Sequence, residues 1–307
     1  HEIMTRINAA ACVTPVNLLG LVLLATPRQS MGEADLARQL ELYSSLLRQA
    51  PYSPRVWVTQ LDGQSMIRYG ESMGVLRRHR HALGDIIDMT EETAVLASYY
   101  RNNVLHLLLM PSLLACAFLN NPAVRRDDLH RLAWRVFPYV ADEDFLRWTE
   151  DELPGVVDEL LEDLLNHGLL TASEDRSIWH RPATETIEAV QLSVLARATV
   201  PIIERFYLAI SLLIKSGSGR LTQDALESQC QLTAQRMSML YELNAPEFFD
   251  KALFSNFVDL LRRREVVSVT PDGKLAYDDA MLQAISADAQ LVLQEQIRNS
   301  ILQVVHR

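Results

Sequence analysis

Residues 266–277 read Val266-Val267-Ser268-Val269-Thr270-Pro271-Asp272-Gly273-Lys274-Leu275-Ala276-Tyr277. β-Branched and aromatic residues flank Pro271-Asp272-Gly273, where proline presets φ and glycine supplies a left-handed position, so the stretch predicts a β-hairpin. Two helical patterns precede it. One starts at Thr222; the other is opened by Pro246 in the first turn and turns Phe249, Leu253, Phe257, Leu260 and Leu261 inward. Helix, helix and a two-stranded wing is the winged-helix arrangement. A hairpin this short is marginal alone and must pack on its helices.

The same order recurs twice upstream, at a period of about 95 residues. In the first copy Ser30-Met31-Gly32-Glu33 reads as a capping box, and Leu36, Leu40, Tyr43 and Leu47 line one helical face. A second helix runs from Gln64 to Met73, and Val75–His81 and Asp85–Met89 form strands around Leu83-Gly84. In the second copy the stripe is Leu129, Leu132, Ala133 and Val136. Thr149-x-x-Glu152 then caps a helix with Val156, Val157, Leu160, Leu161 and Leu164 inward, and Gly168 stops it. Leu169–Ala172 and Ser177–His180 pair around Glu174-Asp175.

A long helix follows each hairpin: Glu91 to Leu119, Thr184 to Lys215 and Asp279 to His306. Pro111 and Pro201 should kink the first two. The predicted fold is therefore mainly α with small β-hairpins, as three winged-helix-like repeats each followed by a long helix. The predicted division is a connector from an upstream domain over 1–29 and repeats over 30–120, 121–216 and 217–307. Ser216-Gly217-Ser218-Gly219 is the flexible boundary.

Composition agrees with a helical core. Of 307 residues 49% are hydrophobic and 22% charged, with only 11 glycines and 12 prolines. The net charge of -10 argues against a nucleic-acid partner, because neutralising phosphates needs a basic face. Cys12, Cys116 and Cys230 are too far apart for a zinc clip or redox pair, and read as reduced thiols. Two uncharged stretches raise the question of a membrane. Val104 to Leu119 as a helix would span about 24 Å, short of a roughly 30 Å hydrocarbon core. Ile7 to Pro27 is interrupted by Asn8, Pro15, Asn17 and Gly20. Core burial is the expected fate of both, with contact at a membrane surface second. The opening at His1 reads as a cut from something longer.

Chemistry-bearing residues are few. Arg77-Arg78-His79-Arg80-His81 lies on a predicted edge strand whose alternation makes both faces cationic. Arg77, Arg78 and Arg80 could meet anionic lipid or simply be solvated. His79, His81 and Asp85 lack a fourth metal ligand beside repelling arginines, so no metal and no cofactor are expected. Tyr99, Tyr100, Arg101, Asn102, Asn103 and His106 gather hydrogen-bonding groups ahead of an apolar run. They should form a satisfied polar network or line a binding pocket. No nucleophile elbow and no phosphate-binding glycine loop occurs, and His180 with Glu185 has no apolar approach to shape a site.

Five strings carry a resemblance: His1-Glu2-Ile3-Met4-Thr5-Arg6-Ile7-Asn8, Tyr99-Tyr100-Arg101-Asn102-Asn103, Phe145-Leu146-Arg147-Trp148, Asp151-Glu152-Leu153-Pro154 and Asn244-Ala245-Pro246-Glu247-Phe248-Phe249-Asp250-Lys251. They are similar to the C-terminal region of the bacterial membrane-associated glycerol-3-phosphate acyltransferase. The resemblance implies a parent that moves an acyl group from acyl-CoA or acyl carrier protein to the 1-hydroxyl of glycerol-3-phosphate, giving lysophosphatidic acid. It implies a peripheral or monotopic place on the cytoplasmic face of the bacterial inner membrane, with this fragment itself soluble. Catalysis in that family uses His-x-x-x-x-Asp, with the histidine as base. No histidine here has aspartate at that spacing, so no catalytic residue is carried over and the chain alone should be inactive. The expected partners are an upstream acyltransferase domain of the same polypeptide and a membrane surface. The competing reading is a regulatory or interaction protein built from winged-helix-like repeats.

Overall fold

The computed structural model describes residues 2–241 and 250–305. The expected helix start at Pro246, Phe249 and the last turn at His306 lie outside them. The chain divides once into compact units, between Ala198 and Thr199. That cut falls inside the long helix expected over 184–215, and not at 120/121 or at the Ser216–Gly219 linker.

The first unit opens with α1 (Glu2–Asn8), none of whose residues is buried. β1 (Cys12–Val13) and α2 (Pro15–Leu23) follow. Thr14 N–H donates to Asn17 Oδ1 at 2.8 Å while Thr14 Oγ1 accepts from the Asn17 N–H, a capping box that fixes where α2 begins. Val16 to Leu23 are all buried, so one uncharged stretch ends in the core. Next come β2 (Ser30–Gly32), α3 (Glu33–Gln49), β3 (Trp57–Val58), α4 (Gly63–Ser72), β4 (Arg77–His79) and β5 (Ile86–Asp88). β1 pairs in parallel with β3, and α2 packs on α3 and α4. Much of 1–29 is thus built into the first unit, where a connector was expected.

β2, β5 and β4 form one antiparallel sheet in that order, with β4 at the edge. Ser30-Met31-Gly32 is therefore a strand where a capping box was expected. Gly32 caps α3 without a side-chain bond, and the Glu33 carboxylate reaches Arg78 instead. The predicted stripe of Leu36, Leu40, Tyr43 and Leu47 is buried. α4 approaches α3 so closely that a Cβ on Gly63 would lie 2.3 Å from the Ala37 carbonyl oxygen.

The unit continues through α5 (Glu91–Asn102), a 3-10 turn (Leu105–Leu107), α6 (Leu109–Cys116), β6 (Ala123–Arg125), α7 (Arg126–Glu143), α8 (Leu153–Asn166), β7 (Thr171–Ala172), β8 (Ile178–His180) and α9 (Ile187–Ala196). β6, β8 and β7 make a second antiparallel sheet. The α7 stripe runs Leu129, Leu132, Ala133, then Phe137 and Val140, with Val136 only half-buried. In α8 Leu160 is half-buried and Leu153 joins the core. The Glu152 carboxylate accepts from the Thr149 N–H and hydroxyl in the turn before α8, and does not cap the helix from Thr149. Gly168, at φ +71°, ends α8 as predicted, with Leu169 N–H returning to the Leu164 carbonyl. α6 lies wholly buried among α7, α8 and α9, and its Ser112 hydroxyl donates to the Leu195 carbonyl at 2.7 Å.

The second unit holds α10 (Val200–Ser216), α11 (Gln223–Tyr241), α12 (Lys251–Arg263), β9 (Val267–Val269), β10 (Leu275–Tyr277), α13 (Asp279–Val292) and α14 (Glu295–Val305). Buried α10 packs on α11, α13 and α14, and Phe206 stacks on Phe257 at 4.2 Å between ring centroids. Phe254 is buried while Leu253 is half-buried, a one-residue shift of the predicted stripe. β9 and β10 pair as predicted, and an antiparallel bridge joins Thr222 to Lys274. Among the described residues no strand of one sheet pairs with a strand of another.

None of the expected long helices is continuous. Each breaks in two: at 103–108, at 197–199 and at 293–294. Pro111 and Pro201 do not kink running helices. Both sit in the first turn of a new one, where a missing N–H costs nothing.

Candidate functional site

Three of the strings that carry the resemblance meet at one place in the first unit. Asn8 ends α1, Arg101 and His106 flank the end of α5, and Phe145, Arg147 and Trp148 occupy the loop between α7 and α8. The Asn8 amide donates to the Asp144 carbonyl at 2.7 Å and the Phe145 carbonyl at 3.4 Å. Phe145 stands at φ +52°, a strained position for a side chain of that size, and Asn8 braces it.

His106 is buried, and its Nε2 lies 3.1 Å from the Asn8 carbonyl oxygen. Burial lowers its pKa to about 4, against a smaller pull from that carbonyl. The ring is therefore neutral, and because a carbonyl only accepts, its proton sits on Nε2. Tyr52 packs edge-on against both His106 (5.3 Å) and Trp148 (4.9 Å). The Arg147 guanidinium lies over the Tyr52 and Trp148 rings at 5.4 and 5.1 Å, and its backbone N–H donates to the Tyr52 hydroxyl at 2.6 Å. Burial, opposed by that bond, raises the Tyr52 pKa to about 12.

The half-buried Arg101 leaves α5 on the face that meets Gly20 of α2. Desolvation lowers its pKa to about 10 while the Asp144 carboxylate acts the other way, so it remains charged near neutrality. Asn102 Oδ1 accepts from it at 2.8 and 3.1 Å. Asn17 of α2 donates to the Tyr100 carbonyl at 2.6 Å. The six polar residues singled out by sequence thus divide. His106 is buried in the junction and Arg101 is half-buried beside it, while Asn102, bonded to Arg101, and the Tyr99, Tyr100 and Asn103 side chains are exposed. Sequence reasoning missed Asp144 and Tyr52; the acidic run 142–144 before Phe145 was the available signal.

Two arginines of the basic strand are paired locally. Arg77 makes a two-pronged pair with Asp88, which also meets His79 at 3.1 Å. Arg78 binds Glu33, Glu71 and Asp85, bonds that raise its pKa. Arg77 and Arg78 therefore stand against four carboxylates, while Arg80 stays exposed, with Asp85 as a nearby counter-charge. Among the described residues no group of three or more metal-type side chains could hold a metal.

Two catalytic look-alikes resolve into structural contacts. Glu185 accepts from the Thr184 hydroxyl at 3.3 Å, and exposed His180 ends β8. Ser45 Oγ, His167 and Asp163 line up at 3.0 and 3.4 Å. Yet His167 Nδ1 is closer to Asp163's own backbone carbonyl, at 2.8 Å, and Ser45 sits inside α3, where backbone N–H groups are engaged in the helix and none is left to hold an oxyanion.

Residues 1–270 match the family model described as the glycerol-3-phosphate acyltransferase C-terminal region. A glycerol-3-phosphate acyltransferase of Pseudomonas paraeruginosa (strain DSM 24068 / PA7) is 44% identical over 303 residues, covering 99% of this chain and 36% of that protein. Those of Pseudomonas entomophila and Pseudomonas putida are 43% and 42% identical over 308 residues, covering all of this chain and 37% of each. The chain spans little more than a third of the length of these relatives. By the family match over residues 1–270 it belongs to the family of the glycerol-3-phosphate acyltransferase C-terminal region.

Proposed function

We propose that this chain is the accessory part of a glycerol-3-phosphate 1-O-acyltransferase, supporting a catalytic part that precedes it and helping to seat the enzyme at the cytoplasmic face of the inner membrane. The observation that carries this reading is the match to such enzymes along essentially the whole chain. The substrates of the parent would be acyl-CoA or acyl carrier protein and glycerol-3-phosphate. The residues here form a braced junction and supply no base poised on a substrate hydroxyl, which suits a supporting role. No helix among the described residues is long and apolar enough to cross a membrane, so any membrane contact of this part would be at the surface.

Its organisation is three winged-helix-like repeats, over 30–120, 121–216 and 217–307. Support comes from strand order. In the first two, the strand before the helix pair joins the second hairpin strand, and the Thr222–Lys274 bridge repeats that relation in the third.

Purified chain mixed with glycerol-3-phosphate and acyl-CoA should give only background lysophosphatidic acid, since binding without a base supplies no transition-state stabilisation. The full-length enzyme should lose activity when this region is deleted. Turnover by the chain alone that disappears in His180→Ala would overturn the reading.

A further inference from the structure

α5 is amphipathic in the wrong sense for a helix that has finished packing. Its inward face is small or polar, Ala94, Ala97, Ser98 and Arg101, and these let α2 close on it: a Cβ on Gly20 would lie 3.0 Å from the Ala97 carbonyl oxygen. Its large side chains point outward. Val95, Leu96, Tyr99 and Tyr100 retain between 40% and 70% of their surface, and at this spacing they form one stripe bounded by Glu92 and Asn103. Folding this chain leaves that stripe in water, although a helix stripe of this width normally faces a core.

α1 has the same character. Ile3, Met4 and Ile7 are 41% to 75% exposed, and seven residues with nothing buried are too few to hold a helix alone. The two share a corner, because the Asn8 carbonyl that ends α1 is held by His106, just beyond the end of α5.

We propose that the outer face of α5, together with α1, docks the preceding part of the acyltransferase polypeptide; this rests on the function proposed above. Three observations select that occupant. Nearly two thirds of each relative lies outside the matched region, and that region is described as the C-terminal one, so in those relatives a large part of the polypeptide is available to cover this face. The α5 stripe carries no lysine or arginine, since Arg101 lies on the face toward α2, its Cβ 3.5 Å from where a Cβ on Gly20 would stand, whereas a helix lying on an anionic bilayer needs a basic rim. Its content of two tyrosines, a leucine and a valine, edged by an acid and an amide, is that of a protein interface centre with a polar rim.

The test uses the full-length enzyme with benzoylphenylalanine placed at Tyr99 or Leu96, and at Leu83 on the exposed turn of the first sheet as control. Illumination should link positions 96 and 99, but not 83, to peptides of the preceding part of the same polypeptide. Links to lipid, links to position 96 or 99 of a second copy, or no link at all would overturn the proposal. In parallel, Leu96→Ser/Tyr99→Ser should lower acyltransferase activity at least tenfold while leaving the melting temperature of the isolated chain unchanged. Unchanged activity would count against docking. A full-length protein with no acyltransferase activity would instead defeat the functional reading, with the cross-links still deciding the docking face.

Discussion

His106 shows how one buried ring ties stability to pH. Its folded pKa of about 4 lies below the ordinary value near 6.5, so the folded state resists a proton that the unfolded state accepts. The stabilisation is complete above about pH 6.5 and is lost as pH falls toward 4, an overall effect on the order of 3 kcal/mol. Urea unfolding of wild type and His106→Gln across pH 4 to 7 should show this slope flattened in the variant; parallel curves would contradict the assignment. Arg101 makes the complementary case. Removing it takes a favourable charge away from the Asp144 carboxylate, so Arg101→Ala should destabilise the fold, and adding Asp144→Asn should recover part of that loss. That Arg101 needs a partner was legible in the sequence. Which carboxylate serves was not, because Asp144 lies 43 residues away and comes close only through the α7–α8 turn.

At the scale of elements, the hairpins and most apolar stripes were legible because local periodicity and turn chemistry fix them. The strands that complete two of the sheets were not: Ser30–Gly32 and Ala123–Arg125 are three residues each, too short for alternation to register, and exist only through pairing with β5 and β8. Helix ends were misjudged at Pro111 and Pro201, where a first-turn proline resembles a kink unless the break before it is visible. Close helix approach gives a firm expectation. Gly63→Ala must force α4 away from the Ala37 backbone, which cannot yield as a side chain would, and should cost roughly 1–3 kcal/mol in a thermal or denaturant melt. Gly155→Ala, in open space on α8, should leave stability unchanged or raise it slightly.

For the whole molecule, the single division at Ala198/Thr199 was hidden because composition marks flexibility while compactness is decided by burial. Ser216-Gly217-Ser218-Gly219 looks like a boundary, yet Leu213 on one side accepts a bond from the Tyr277 hydroxyl at 2.6 Å and Gly219 N–H donates to the Leu275 carbonyl, so the linker is stitched into the second unit. Fragments 1–198 and 199–307 should therefore each fold cooperatively when expressed apart. A fragment ending at 120 should not, because α6 would lose α7, α8 and α9. Circular dichroism melts of the three fragments decide the matter, and a cooperative 1–120 would contradict the division.

The leading strands also set a timetable during synthesis. Ser30 cannot pair until Asp88 has been made, nor Ala123 until His180, intervals of 58 and 57 residues from the observed registers (88 − 30 and 180 − 123). At ribosomal rates of about 5–20 residues per second, each waits roughly 3–12 s with an open edge. Three-residue strands offer a neighbouring nascent chain little to template on, so their brevity limits aggregation during the wait.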